Sequence, residues 1–164
     1  MNIKTLCFAI VVAALVPACD QKPVEPMLTQ GTGSVAAAGD TSMEFGDYVV
    51  HFNAISTDQL TPEVAKNYGI VRSSNRALLN ISILKKEEGT TGKPVPGNVS
   101  LLVANDTGQV KDSTVREIRE GSAVYYIADY AVSNGETLVF NVEVTPEGTT
   151  TPLKLRFSHT FFGG

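Results

Sequence analysis

The sequence predicts an all-β domain: a seven-stranded immunoglobulin-like β-sandwich with a short helix in its first long loop. Three observations predict it. From Met43 onward apolar and polar residues alternate with period two, which is the mark of strands with one buried face. Turn residues recur between the alternating runs at the spacing of a sandwich. No long helical period interrupts them. An up-and-down barrel is the alternative arrangement of the same strands, since the Cys and Trp marks of antibody domains are absent.

The first run, residues 43–55, sets Tyr48, Val50 and Phe52 against Val49, His51 and Asn53. The second, 76–86, puts Leu79, Ile81 and Ile83 on one face, and 98–104 does the same with Val99, Leu101 and Val103. Residues 109–120 are more polar, as suits an edge strand. In 122–132, Val124, Tyr126 and Ala128 oppose Tyr125 and Ile127. Leu138, Phe140, Val142 and Val144 share a face in 136–144. The closing run, 152–162, gives the cleanest alternation, with Leu153, Leu155, Phe157, His159 and Phe161 on the apolar side. Between the runs stand Lys93-Pro94-Val95-Pro96-Gly97, Asn105-Asp106-Thr107-Gly108, Glu120-Gly121, Asn134-Gly135 and Pro146-Glu147-Gly148. Asn134-Gly135 favours a tight hairpin, because both residue types tolerate positive φ. Residues 55–75 form a long connection. Within it Thr61-Pro62-Glu63 reads as a helix start, with Thr61 as cap and Pro62 in the first turn, and Gly69 as its close. Loops of this length are uncommon in compact domains and often carry function.

The chain before residue 43 reads as an address. Lys4 and the eleven apolar residues Leu6 to Val16 suit a signal peptide, too short for a bilayer span of about 20 residues. Val16-Pro17-Ala18-Cys19 resembles the lipobox of bacterial lipoproteins. The expected organisation is therefore a signal peptide at 1–18, a lipidated Cys19 with a flexible tether over 19–42, and the sandwich over 43–164. Cleavage after Ala18 as a plain secretory protein, or near Ala36 to Ala38, is the alternative. Acyl chains contribute about 0.8 kcal/mol per buried CH₂, so lipidation would hold the domain durably on a membrane. Asp20 resembles an inner-membrane retention signal of enteric lipoproteins, a rule that varies between bacteria, so inner and outer membrane both stay open. The tether, rich in Gly, Ala, Ser, Thr and Pro, would reach on the order of 25 Å as a coil.

Composition narrows the function. Hydrophobic residues make up 43% of the 164, as in ordinary globular proteins. Removing Lys4 with the leader from the 13 Lys and Arg residues leaves 12 against 17 acidic ones, which lacks the basic footprint of a nucleic-acid binder. Cys7 lies in the leader, so only Cys19 remains, and neither an internal disulfide nor a cysteine-built zinc site can form. His51 and His159 are the only histidines, without a carboxylate cluster of ligand spacing, so no metal and no cofactor are expected. No G-x-S-x-G turn and no glycine-rich phosphate loop occur, so no enzyme is expected. The sequons at Asn80, Asn98 and Asn105 carry no meaning on a bacterial export route.

The segments FGDYVVHFNA, LTPEVAKNYGIVRSSNRALLNISILKK, EGSAVYYIADYAVSNGETLVFNVEV and LKLRFSHTFF resemble the domain-of-unknown-function family 4426 of exported proteobacterial proteins. The resemblance covers about Met43 to Phe162 and is most specific from Thr61 to Lys86. It implies a small periplasmic β domain of immunoglobulin type, with no known activity or cofactor, and it draws attention to Tyr68 to Arg76. Tyr68, Arg72, Asn75 and Arg76 are accordingly the candidate binding residues. Tyr125, Tyr126 and Tyr130, with Asp129, share one strand, where a ring can serve recognition or close a corner of the sandwich. The expected role is a membrane-tethered periplasmic interaction or accessory module whose partner is another envelope protein. A periplasmic domain binding a small ligand or a metal is the alternative.

Overall fold

The computed structural model describes residues 33–162; the leader, Cys19 and the tether up to residue 32 lie outside them. Alternation becomes a two-sheet sandwich. The strands are β1 (Ser34–Val35), β2 (Ser42–Phe45), β3 (Tyr48–Ser56), β4 (Arg76–Lys85), β5 (Lys93–Pro94), β6 (Gly97–Asn105), β7 (Arg116–Glu120), β8 (Ala123–Ala131), β9 (Glu136–Pro146) and β10 (Leu153–Phe161). One sheet runs β2-β3-β4-β8-β7, with β5 beside the end of β4; the smaller runs β1-β10-β9-β6. The seven longer strands, lettered A to G in chain order, thus form A-B-E-D against C-F-G, the constant-type immunoglobulin order.

The inner faces close on each other. Val50, Phe52, Leu79, Ile81, Ile83, Tyr126 and Tyr130 of the large sheet meet Leu138, Phe140, Val144, Leu155 and Phe157 of the small one, all buried. Three rings form the centre: Phe157 lies 4.4 Å from Phe52 and 4.8 Å from Phe140, centroid to centroid. Such pairs contribute about 0.5–1.5 kcal/mol beyond the area they bury. Tyr126 ties the sheets together, its oxygen accepting from the Gly97 amide at 2.7 Å while its hydroxyl donates to Glu117 Oε2 at 3.2 Å. Gly97 is required by this approach, since a Cβ there would stand 2.6 Å from the Thr145 carbonyl oxygen and 2.9 Å from Ile83 Cδ1.

Four elements differ from the sequence reading. Residues 43–55 are a hairpin and not one strand: Phe45 pairs with Tyr48 across Gly46-Asp47, and Gly46 at φ +55° supplies the first turn position. Of 109–120 only Arg116–Glu120 is strand. The stretch before it is held instead by Lys111, whose amide bonds the Val103 carbonyl at 2.9 Å and whose ammonium pairs with Glu136 at 2.6 Å. Asn134-Gly135 is not a hairpin within a sheet but the corner where the chain passes from β8 to β9, in the other sheet. Structure also begins ahead of residue 43. β1 pairs in parallel with Leu155 and Arg156 of β10, and the Thr41 carbonyl accepts from the Phe52 amide at 2.9 Å.

His159 sits on the apolar face by alternation, yet it is exposed, because that face opens at the seam between the sheets. Its ring rests edge-on against Phe161 at 4.7 Å, and partial burial holds its pKa below the usual histidine value.

Candidate functional site

The long connection after β3 folds back over the outer face of the large sheet. Thr57, fully buried, is its rivet: the hydroxyl reaches the carbonyls of Val71 at 2.8 Å and Ser73 at 3.0 Å and accepts from the Ser73 amide at 2.9 Å. The helix α1 (Pro62–Asn67) starts as the sequence requires, with Thr61 Oγ1 accepting from the Val64 amide at 3.2 Å and Pro62 in the first turn. It closes in a Schellman motif, Gly69 in the left-handed region at φ +63° and the Ile70 amide bonded to the Ala65 carbonyl at 2.8 Å. Ala65 and Ile70 then pack on Leu78 of β4 and Ile127 of β8, a second small core outside the sandwich.

Beside this core the loop leaves a groove of 410 Å³. Leu78, Asn80 and Ile127 form the floor, Leu60, Val64 and Tyr68 the loop wall, and Ile118, Glu120 and Tyr125 the opposite wall. The register sets Asn53 opposite Asn80, Asn80 opposite Ile127, and Ile118 opposite Tyr125, so one side of the floor is polar and the other apolar. The Tyr68 hydroxyl donates to Glu120 across the groove, and this hydrogen bond, ahead of burial, holds the phenol above its ordinary pKa. Arg116 fixes the same residue from below, donating to the Tyr68 carbonyl at 2.8 Å. Asn80 Oδ1 is buried in the floor and takes no hydrogen bond.

Of the four residues singled out from sequence, Tyr68 lines this groove and the other three brace the loop. Arg72 donates to the Asp58 carbonyl at 2.8 Å, the Asn75 carbonyl accepts from the Val132 amide at 3.0 Å, and Arg76 pairs with Asp129. Tyr126 and Tyr130 belong to the main core, where burial pushes the Tyr130 hydroxyl up to about 12. Tyr125 alone of the three turns to the groove. Sequence reasoning missed the floor, although a signal was present: Val124 to Ala128 is apolar at every position, so both faces of β8 had to be covered.

The histidines fall elsewhere. His51 stands opposite Ser82 in a shallow polar trough with Thr41, Asn53 and Asn80, and His159 lies near Asp40 and Ser158 at the seam. Among the described residues no three of His, Cys, Asp and Glu come together as a metal cluster. No described helix is long and apolar enough to cross a membrane. A smaller depression of 240 Å³ lies on the outer face of the other sheet, where Lys154 pairs with Glu143 at 3.0 Å and Asn141 Nδ2 donates to the Leu102 carbonyl at 3.3 Å.

The model of the domain-of-unknown-function family DUF4426 matches residues 42–163. Among solved structures the chain is similar to a DUF4426 family protein from Pseudomonas aeruginosa PAO1. The two are 31% identical over 75% of this chain and 94% of that one, with a TM-score of 0.64. It is also similar to FetP of uropathogenic E. coli strain F11, 12% identical over 75% of this chain and 93% of that one, with a TM-score of 0.52; that is a likeness of fold. None of the curated proteins matches the chain.

Proposed function

The chain belongs to the DUF4426 family, and we propose that it is a non-catalytic recognition module of the bacterial cell envelope. It is exported to the periplasm, held on a membrane through acylated Cys19, and grips a segment of another envelope protein in the groove beneath the first long loop. The leader and the lipobox-like Val16-Pro17-Ala18-Cys19 support export and anchoring.

One observation carries the recognition reading. The groove is a built concavity, lined mostly by apolar side chains, with a buried acceptor in its floor and a loop fastened over it by Thr57. Its 410 Å³ lies within the range of about 300–1,000 Å³ usual for binding pockets. The sheet edges favour strand addition less. β7 presents Arg116, Glu117, Arg119 and Glu120 along its edge, β1 covers part of β10, and the 108–111 turn covers β6 at Val103 to Asn105. The same volume would also admit a small ligand.

Photocrosslinking in intact cells tests the proposal. A photoreactive residue at Val64, on the groove wall, should give a discrete protein adduct, and one at Leu102, equally exposed on the other sheet, should not. Equal adducts from both positions would refute it. No adduct from Val64, with a thermal shift on adding a metabolite, would select the small-ligand reading. Mass spectrometry of the mature terminus should find acylated Cys19.

A further inference from the structure

We infer that the segment received by this groove presents a primary amine or guanidinium, the side chain of Lys or Arg, flanked by apolar residues, with Glu120 as its counter-charge. This rests on the reading of the groove as the recognition site.

The polar content of the groove is unbalanced in one direction. Among the described residues Glu120 is the only charged one lining it, and no Lys, Arg or His joins it there. Neighbouring cations are already engaged. Arg116 serves the Tyr68 carbonyl, and Arg119 pairs with Glu117 at 2.6 Å. Glu120 enters none of the five ion pairs formed among the described residues. One of its oxygens accepts the Tyr68 hydroxyl, which fixes the carboxylate over the groove and leaves the other oxygen to an incoming donor.

A second acceptor lies further along the floor, level with Arg116 and four residues along the strands from Glu120. Asn80 Oδ1 is a buried acceptor without a donor, and such atoms are costly unless something supplies an N–H or O–H. An ammonium carries three donors and a guanidinium five, and neither has an acceptor to clash with the Glu120 carboxylate; the Asn80 oxygen, roughly 13 Å along the strands, is left to another donor of the same segment, such as a backbone N–H. Ile118, Tyr125, Ile127 and Val64 supply apolar surface for the stem of such a side chain and for its neighbours. The net charge of −4 adds a long-range attraction for cations and disfavours an acidic segment.

Three capped peptides test the inference against the mature full-length protein in detergent micelles, by line broadening of the peptide signals. They are acetyl-Leu-Lys-Leu-amide and the same peptide with norleucine or Glu in the centre. The Lys peptide should bind best, with norleucine about tenfold weaker, as expected for loss of one charge-assisted hydrogen bond. Glu120→Gln, which keeps an acceptor for Tyr68, should weaken the Lys peptide by the same factor and bring it level with norleucine. Glu143→Gln, on the other sheet, should change nothing. Equal binding of the Lys and norleucine peptides, preference for the Glu peptide, binding of none, or a Glu120→Gln variant that binds as wild type would overturn the inference. A discrete adduct from Val64 alongside any of these results would leave the groove standing as the recognition site and remove only its preference for cations.

Discussion

Glu136 shows how single residues hold this domain without a crosslink. It begins β9 at the corner between the sheets, and it accepts from Lys111 Nζ at 2.6 Å, the Ser133 amide at 2.8 Å and Asn105 Nδ2 at 3.1 Å. Burial pushes its carboxyl upward, but these donors together outweigh burial and leave it below the usual value. The linkage follows from that sign. The carboxylate's contribution is complete above the unfolded pKa, near 4.5, and is lost as pH falls through the lower folded value. Glu136→Gln should therefore cost about 1–2 kcal/mol at pH 7, with the gap from wild type closing as pH falls below 4.5, read from urea midpoints. Parallel curves would show that the clasp does not titrate. His159 bends stability the same way at higher pH. Burial favours its neutral form, so protonation below the ordinary histidine range works against the fold.

At the scale of elements, the loop over the large sheet is the part that turns a common sandwich into a site. Its helix was legible because Thr61, Pro62 and Gly69 act locally, each satisfying or ending the backbone at its own position. Its path was not, because that depends on Thr57, whose hydroxyl meets residues 14 and 16 positions on. Thr57→Val keeps the shape and removes the hydroxyl proton shared by the Val71 and Ser73 carbonyls, together with the acceptor for the Ser73 amide. It should cost about 1–3 kcal/mol and raise amide exchange in residues 70–75 more than in β4, measured by mass spectrometry. Uniform exchange across both would mean that the rivet holds the whole domain and not the loop. The longer strands were legible from alternation, since one inner face per strand sufficed to mark them. The two-residue strands β1 and β5 carry no period to read. The hairpin at Gly46 had a turn signal in Gly46-Asp47, but the strand before it is only four residues long and carries too little alternation to stand apart. The groove floor stayed unread for a related reason: apolar residues on both faces of β8 blur the pattern that separates inside from outside.

For the whole molecule, the A-B-E-D and C-F-G sheets leave two outer faces with different fates. That of the small sheet is a surface carrying polar pairs such as Lys154 with Glu143. That of the large sheet is half covered by the loop and half open, and it holds both the second core and the unsatisfied Asn80 carbonyl. The described residues contain no cysteine, so stability comes from the core between the sheets, the second core under the loop and clasps such as Glu136. The outer face of the large sheet is therefore where the proposed recognition would act.

Hydrogen exchange on the protein in isolated envelope membranes, compared with the same protein purified in detergent, tests this division of faces most directly. Added protection is expected in residues 60–70 and 116–127, with residues 98–104 and 139–143 unchanged. Protection confined to the small sheet, or none anywhere, would contradict it.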